Sequence, residues 1–163
     1  MNSFEGLRWS HACTARRVME SASVHPEHVV FCGIRSWLED EAVYVGAHPA
    51  LTVITARELG SASLDATAQT AIARLQSADS IYVALDIDCL DPAYAPGTGT
   101  PEGGGPSTRQ LLEFLRLIFA ALPVRAMDLV EVSPPLDSSW ITSVAAVKIL
   151  YEVFGMLLER DEN

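Results

Sequence analysis

The segment SIYVALDIDCLDP, residues 80–92, joins an apolar run to three aspartates that fall within six positions. Continuous rather than alternating apolarity is typical of a strand that is covered on both faces, as in a parallel sheet. In open α/β sheets, ligands bind beyond the carboxyl ends of the strands, which is where Asp86 and Asp88 fall. The segment therefore predicts a buried parallel strand that delivers two carboxylates to a ligand site.

Asp86 and Asp88 stand at positions i and i+2, so on a strand they leave from the same side and converge on one centre. Two such charges repel each other, and a divalent cation removes the repulsion.

Three other interpretations remain open on these residues alone. Aspartates are frequent in turns. Haloacid-dehalogenase-type phosphatases use the first Asp of Asp-x-Asp as a nucleophile, although their pattern continues to Thr or Val where this chain has Leu90. Nucleotide-sugar transferases use the pair to hold a metal and a diphosphate.

Apolar, β-rich runs alternate with helix-like segments along the whole chain. This alternation predicts one α/β domain, a three-layer αβα arrangement with a parallel sheet and right-handed crossovers. The apolar stripe of the last helix is interpreted as core or subunit packing rather than as a ligand pocket. The predicted strands are 28–33, 51–55, 80–88 and 125–132, and the predicted helices are 10–22, 38–45, 64–77, 107–121 and 140–158.

Composition excludes several classes of function. The net charge of −10 argues against nucleic acid as a partner, because neutralising phosphates requires clustered Lys and Arg. The same charge is compatible with a cationic substrate. Three cysteines at unrelated spacings argue against a disulfide framework. We find no apolar run long enough to span a bilayer, and residues 1–9 lack the pattern of a signal peptide, so a cytoplasmic protein without a membrane partner is expected.

The next segment, YAPGTGTPEGGG at 94–105, is rich in glycine and proline. Such a loop permits close backbone approach and restricts mobility, which suits the wall of a site, although an ordinary connection is the alternative. Segments 86–92 and 94–105 together resemble the signature of the ureohydrolase family of arginases and agmatinases. Ala84 stands where that family usually has Ser. The signature positions are Asp86, Ile87, Asp88, Pro92, Pro96, Gly97 and Gly105.

The resemblance extends over nearly the whole chain. Residues 1–163 would correspond to the C-terminal part of a ureohydrolase domain. This resemblance implies an arginase-like fold and the hydrolysis of a small guanidino compound to urea and an amine by two Mn²⁺ ions. By resemblance, Asp86 would bridge both ions and Asp88 would hold one. His11 would transfer a proton to the departing amine, and Glu131 would pair with the guanidinium. The amino-acid sequence of the glycine-rich loop is most similar to that of the agmatinase and guanidinobutyrase branch.

Two further expectations follow from the same resemblance. Residues 33–35 (Gly-Ile-Arg) match a strand-end pattern of the family with a structural role. The relatives form trimers or hexamers, so a homo-oligomer is expected for this chain.

Two motifs that complete the metal site in the family, Gly-Gly-Asp-His and Asp-Ala-His-x-Asp, do not occur in this sequence. Two carboxylates cannot furnish the coordination of two Mn²⁺ ions. We therefore expect weak metal binding and no turnover of agmatine or arginine by the chain alone. A gene fragment or a mis-assigned start at Met1 is one explanation. A non-catalytic, truncated paralogue that acts as a subunit partner of a full-length ureohydrolase is the other.

The family's sheet order, if it applies here, places one absent strand between the first and third strands of this chain. Its absence would leave unpaired backbone groups in the middle of the sheet. We expect either that the gap closes by direct pairing or that two poorly joined halves result.

Overall fold

Parallel strands and helices alternate along the chain in the computed structural model, which describes residues 1–61 and 64–161. The predicted α/β class is therefore confirmed. Four short 3₁₀ turns supplement the longer elements in these ranges. The strands are β1 (Val30–Ile34), β2 (Thr52–Thr55), β3 (Ile81–Asp86) and β4 (Val124–Val130), and the helices are α1 (Thr14–Val18), α2 (Glu39–Ala47), α3 (Ala56–Ser61), α4 (Leu64–Leu75), α5 (Thr108–Ala121) and α6 (Ile141–Asp161).

Two predicted elements are shorter than expected by three residues or more. The helix predicted at 10–22 is a 3₁₀ turn, His11–Cys13, followed by the five residues of α1. The strand predicted at 80–88 ends at Asp86, because the Asp86 side chain accepts a hydrogen bond from the Asp88 backbone N–H and bends the chain into a 3₁₀ turn. The expectation that Asp86 and Asp88 leave one strand on the same side was therefore wrong, and a turn brings them together instead.

The strands form two separate parallel pairs, β1 with β2 and β3 with β4, in the part of the chain that the structure describes. The gap expected from the absent strand is thus present and is not closed by direct pairing. The halves are nevertheless well packed, since one hydrophobic cluster contains Ile54 of β2, Leu85 of β3 and Ile149 of α6. The expectation of poor joining was right about backbone hydrogen bonds between the strand pairs and wrong about packing.

Arg35 provides a polar link between the two halves. It follows β1, and its side chain is only 11% exposed. Its guanidinium donates to the backbone oxygens of Cys89 at 3.1 Å and Leu90 at 3.3 Å, and also to that of Asp88. A planar fork with five N–H donors suits three carbonyl groups of one turn. The first half of the chain therefore holds the acidic turn of the second.

Gly105 belongs to the same junction. A β-carbon at this position would lie 2.4 Å from Arg35 Nη1, 2.5 Å from the Cys89 oxygen and 2.6 Å from the Asp91 nitrogen. Two of those neighbours are backbone atoms, which cannot rotate away. The final glycine of the signature is therefore required by close packing and not by an unusual φ angle.

Asp137 fixes the start of α6. Its carboxylate accepts hydrogen bonds from the Ser139 hydroxyl, from the Thr142 N–H at 2.8 Å and from the Ser139 N–H at 3.0 Å. These bonds, led by that of the Ser139 hydroxyl, lower the pKa of Asp137 to about 2. The Thr142 hydroxyl in turn accepts from the Gly97 N–H at 2.6 Å, and a β-carbon on Gly97 would lie 2.4 Å from that of Asp137. The start of the helix thus anchors the glycine-rich loop.

Helix α6 corrects one expectation from sequence. Its stretch Ile141–Arg160 has a mean hydropathy of 1.7 and is long and apolar enough to cross a membrane by length and composition. The expectation that no such run occurs was therefore wrong. One face of α6 packs in the core through Ala146, Ile149 and Val153, and much of the opposite face is exposed.

The packing at Gly105 predicts a large difference between two neighbouring glycines. We expect Gly105→Ala to lower the free energy of unfolding by about 3 kcal/mol, because the methyl group overlaps backbone atoms. The matched control is Gly103→Ala, where a β-carbon would meet nothing within 4 Å and a change below about 0.5 kcal/mol is expected. Urea unfolding followed by circular dichroism measures both, and equal stabilities would contradict the proposed junction.

The hydrogen bonds to Asp137 predict a dependence of stability on pH. A carboxyl whose folded pKa lies below its unfolded value stabilises the fold above the unfolded value and loses that contribution as the pH falls through the folded one. For Asp137 this window runs from 3.8 down to about 2. We expect Asp137→Asn to unfold with a flatter dependence on pH in that window, measured by urea unfolding at successive pH values. Asp79→Asn, at an exposed position before β3, is the control, and parallel curves for all three proteins would rule the effect out.

Candidate active site

The register of β3 and β4 brings Asp86 and Glu131 to one edge. Asp86 is opposite Val130, the last residue of β4, and Glu131 follows immediately. Glu131 has a φ of +65°, in the left-handed region that non-glycine residues rarely adopt. Strained backbone of this kind is concentrated at functional sites, because surrounding structure must maintain it. The end of β4 is therefore a place where the fold tolerates strain to position a carboxylate.

Asp86 lies in surroundings that disfavour a negative charge. Its Oδ1 accepts from the Asp88 N–H at 3.0 Å, while Oδ2 of Asp88 accepts from the Thr100 hydroxyl at 2.8 Å. Burial raises the pKa of Asp86 to about 6, and the negative charges of Asp88 and Glu131 act in the same direction. The structure thus places three carboxylates close enough to repel, which is the situation that a bound cation relieves.

His11 lies beside this cluster. Its Nδ1 is 3.7 Å from Oε1 of Glu131, and its side chain is 71% exposed. The ring also packs edge-on against Phe4, with 6.0 Å between centroids. All four residues predicted from the sequence, His11, Asp86, Asp88 and Glu131, therefore belong to one neighbourhood. Glu131 links the imidazole to the aspartates, since it lies 3.7 Å from His11 and its charge acts on Asp86.

Two features of this neighbourhood were missed by the sequence analysis. Thr100, in the glycine-rich loop, holds Asp88 through its hydroxyl. A shallow cavity of about 290 Å³ also adjoins His11, lined by Trp9, Ser10, Thr14 and Arg17. One hydroxyl in a loop of small residues carries no sequence signal of its own. The cavity depends on how α1 packs, which no local pattern predicts.

The glycine-rich loop carries a second threonine hydroxyl, that of Thr98. Thr98 is only 2% exposed, and its hydroxyl oxygen has no hydrogen-bond partner in the part of the chain that the structure describes. The two threonines of the loop therefore differ in their surroundings, and only Thr100 is bonded to an aspartate of the cluster.

The carboxylate cluster provides the type of ligand atom that a divalent cation prefers, but too few ligands to complete its coordination. Carboxylate oxygens are the ligands that Mn²⁺ and similar hard ions prefer, and about six oxygen donors complete an octahedral site. Within residues 1–61 and 64–161, no group of three or more His, Cys, Asp and Glu side chains is arranged to hold a metal ion. Asp86 and Asp88 therefore form at most part of a metal site.

Comparison with known proteins gives the family. The family model described as Arginase family matches residues 1–155. The chain is 37% identical over 149 residues to the proclavaminate amidinohydrolase of Streptomyces clavuligerus, covering 90% of this chain and 47% of that protein. It is 35% identical to an agmatinase of Chromobacterium violaceum, with 91% and 43% covered. The chain thus spans about half the length of these curated relatives.

Solved structures agree with this assignment. The Streptomyces clavuligerus proclavaminate amidinohydrolase superposes with a TM-score of 0.86 at 34% identity, over 96% of this chain and 52% of the other. A hypothetical agmatinase from Burkholderia thailandensis gives a TM-score of 0.83 at 30% identity, over 94% and 46%. The arginase-like fold expected from the sequence is thereby confirmed, in incomplete form. This chain belongs to the arginase family.

Proposed function

We propose that this chain supplies the carboxylate part of a ureohydrolase active site, which hydrolyses a small guanidino compound to urea and an amine. The observation that carries the proposal is the cluster at the end of β3 and β4. Asp86, Asp88 and Glu131 approach one another there, and the pKa of Asp86 is raised to about 6 by burial and by these neighbours. Such a concentration of negative charge suits a bound cation and a cationic substrate.

Each residue has a distinct role in this proposal. Asp86 and Asp88 would hold Mn²⁺, which in a complete site supplies hydroxide at neutral pH. Glu131 would accept hydrogen bonds from the planar guanidinium, whose fork matches a carboxylate. His11, which is 3.7 Å from Glu131 and open to solvent, would protonate the departing amine. The glycine-rich loop holds Asp88 in place through Thr100.

The substrate class follows from the relatives and the charge of the site. The similar proteins are named agmatinase, guanidinobutyrase and proclavaminate amidinohydrolase. We propose a small guanidino compound of the agmatine type for this chain. The net charge of −10 favours the approach of a cation.

The small number of metal-ligating side chains in this chain favours a second role. Within the described ranges, two aspartates without further ligands leave the chain alone unable to complete a dimanganese centre. A non-catalytic subunit that associates with a full-length ureohydrolase would show the same geometry. The two roles differ in whether the residues of this chain remain competent for catalysis once the absent ligands are supplied.

The incomplete donor set predicts the behaviour of the isolated chain. In excess Mn²⁺ we expect weak binding and no release of urea from agmatine or arginine. Asp86→Asn and Asp88→Asn should each weaken Mn²⁺ binding, because each removes a charged donor, while Asp79→Asn, at the opposite end of β3, should not. Calorimetric titration measures the binding, and a colorimetric assay measures urea. Steady urea release by the chain alone would overturn this prediction.

A chimera tests the catalytic proposal. The part of the Streptomyces clavuligerus enzyme that this chain does not cover would be joined to it, which supplies the absent ligands. We expect urea release from a guanidino substrate, a loss of roughly 10²–10⁴-fold in kcat for His11→Ala, and a rise of roughly tenfold or more in KM for Glu131→Gln.

Asp79→Asn in the chimera is the control and should leave both constants unchanged. A folded chimera that binds Mn²⁺ without releasing urea would exclude the catalytic role and favour the subunit role.

A further inference from the structure

Glu102, near the end of the glycine-rich loop, joins that loop to the end of β1. Its Oε1 accepts a hydrogen bond from the Ser36 hydroxyl at 2.6 Å, and its Oε2 lies 3.8 Å from Arg35 Nε. Arg35 and Ser36 directly follow β1. One glutamate therefore ties the wall of the candidate site to the strand pair that does not carry the aspartates.

Thr100 of the same loop holds a carboxylate of the cluster. Its hydroxyl donates to Oδ2 of Asp88 at 2.8 Å. Within residues 99–105, Thr100 and Glu102 are the only ones with polar side chains, and Pro101 separates them. Proline fixes its own φ angle and restricts the residue before it, so Thr100 and Glu102 move largely together. The place where Glu102 is held thus determines where the Thr100 hydroxyl lies.

Arg35 holds the backbone of Asp88. Its guanidinium donates to the backbone oxygen of Asp88 and to the two carbonyls that follow. Its Nε lies nearest to Glu102, so the two sets of contacts use different N–H groups of one planar fork. The contacts therefore close a ring that runs from Asp88 through Thr100, Glu102 and Arg35 back to Asp88.

The contacts of Glu102 are local and contribute little to the stability of the whole chain. Its side chain is 46% exposed, and an exposed ion pair is screened by water and salt. The loop is also held to its own turn by a hydrogen bond from the Gly104 N–H to Oδ2 of Asp91 at 2.8 Å. Removal of the Glu102 carboxylate is therefore expected to free the loop around Thr100 without unfolding the chain.

We propose that Glu102 is a positioning residue of the carboxylate cluster. By its contacts with Ser36 and Arg35 it fixes the loop so that the Thr100 hydroxyl holds the Asp88 carboxylate in the place where a cation binds. Hydrogen-bond partners of a ligating carboxylate orient it and raise metal affinity. The proposal rests on the proposed function, in which Asp88 holds Mn²⁺.

A double-mutant cycle on Mn²⁺ affinity tests this coupling. Thr100→Val removes the hydroxyl and is expected to raise the Kd of the chain for Mn²⁺ roughly tenfold, because the Asp88 carboxylate loses its hydrogen-bond partner. Glu102→Ala is expected to raise the Kd roughly threefold to tenfold through the same bond. The double variant should then have the Kd of Thr100→Val alone, whereas independent effects would multiply. Calorimetric titration measures all four proteins.

Amide hydrogen exchange gives a second readout that needs no metal. In the metal-free chain, peptides that cover residues 94–105 should exchange faster in Glu102→Ala than in the unaltered protein, as followed by mass spectrometry. The midpoint of urea unfolding of this variant should stay unchanged, because the lost contacts are exposed. Together these two results distinguish a loss of position from a loss of stability.

Glu113→Ala is the matched control. Glu113 lies on α5, its side chain is 42% exposed, and its Oε1 is 3.4 Å from Arg109 Nη1. It is thus also a glutamate in an exposed ion pair, but its partner is on its own helix. This variant should leave both the Kd for Mn²⁺ and the exchange of the loop unchanged.

Three outcomes would overturn the role of Glu102 while the proposed function stands. Glu102→Ala could bind Mn²⁺ like the unaltered chain although Asp88→Asn binds it more weakly. The losses of affinity in the double variant could multiply. The loop of Glu102→Ala could exchange no faster than that of Glu113→Ala. An unchanged Kd for Asp88→Asn would instead overturn the proposed function together with this inference.

Discussion

The contact of Arg35 with the acidic turn is the interaction on which the arrangement of this chain depends. The two pairs of strands share no backbone hydrogen bonds within the described ranges, and each parallel pair alone would be marginal. Arg35 reaches from the end of β1 to three carbonyl oxygens of the turn after β3. Hydrogen bonds to a charged donor contribute about 1.5–3 kcal/mol each. Gly105 permits this approach because any side chain there would displace the guanidinium or the turn.

The same turn carries the chemistry. It contains two aspartates, and burial, together with the charges of Asp88 and Glu131, raises the pKa of Asp86. The carbonyls of the turn bind an internal cation, Arg35, and under the proposed function its carboxylates would bind an external one. Gly97 and Gly105 are packing requirements of the structure that holds the aspartates.

Helix α6 is apolar on two faces. One face packs in the core that joins the halves, and much of the other is exposed in the part of the chain that the structure describes. A hydrophobic helix of this length satisfies the criterion for a membrane span by composition alone.

The sequence by itself determined the α/β class and the positions of the strands, because continuous apolar runs are local properties. Its resemblance to the ureohydrolase family also singled out the four residues that the fold brings into one neighbourhood, and indicated that β1 and β3 would lack a strand between them. It did not determine the end of β3, since the bond from the Asp88 N–H to the Asp86 side chain competes with the extended backbone. Nor did it predict the contacts of Arg35, the strained φ of Glu131 or the exposure of one apolar face of α6. Those depend on which segments meet in space, and only tertiary packing decides that.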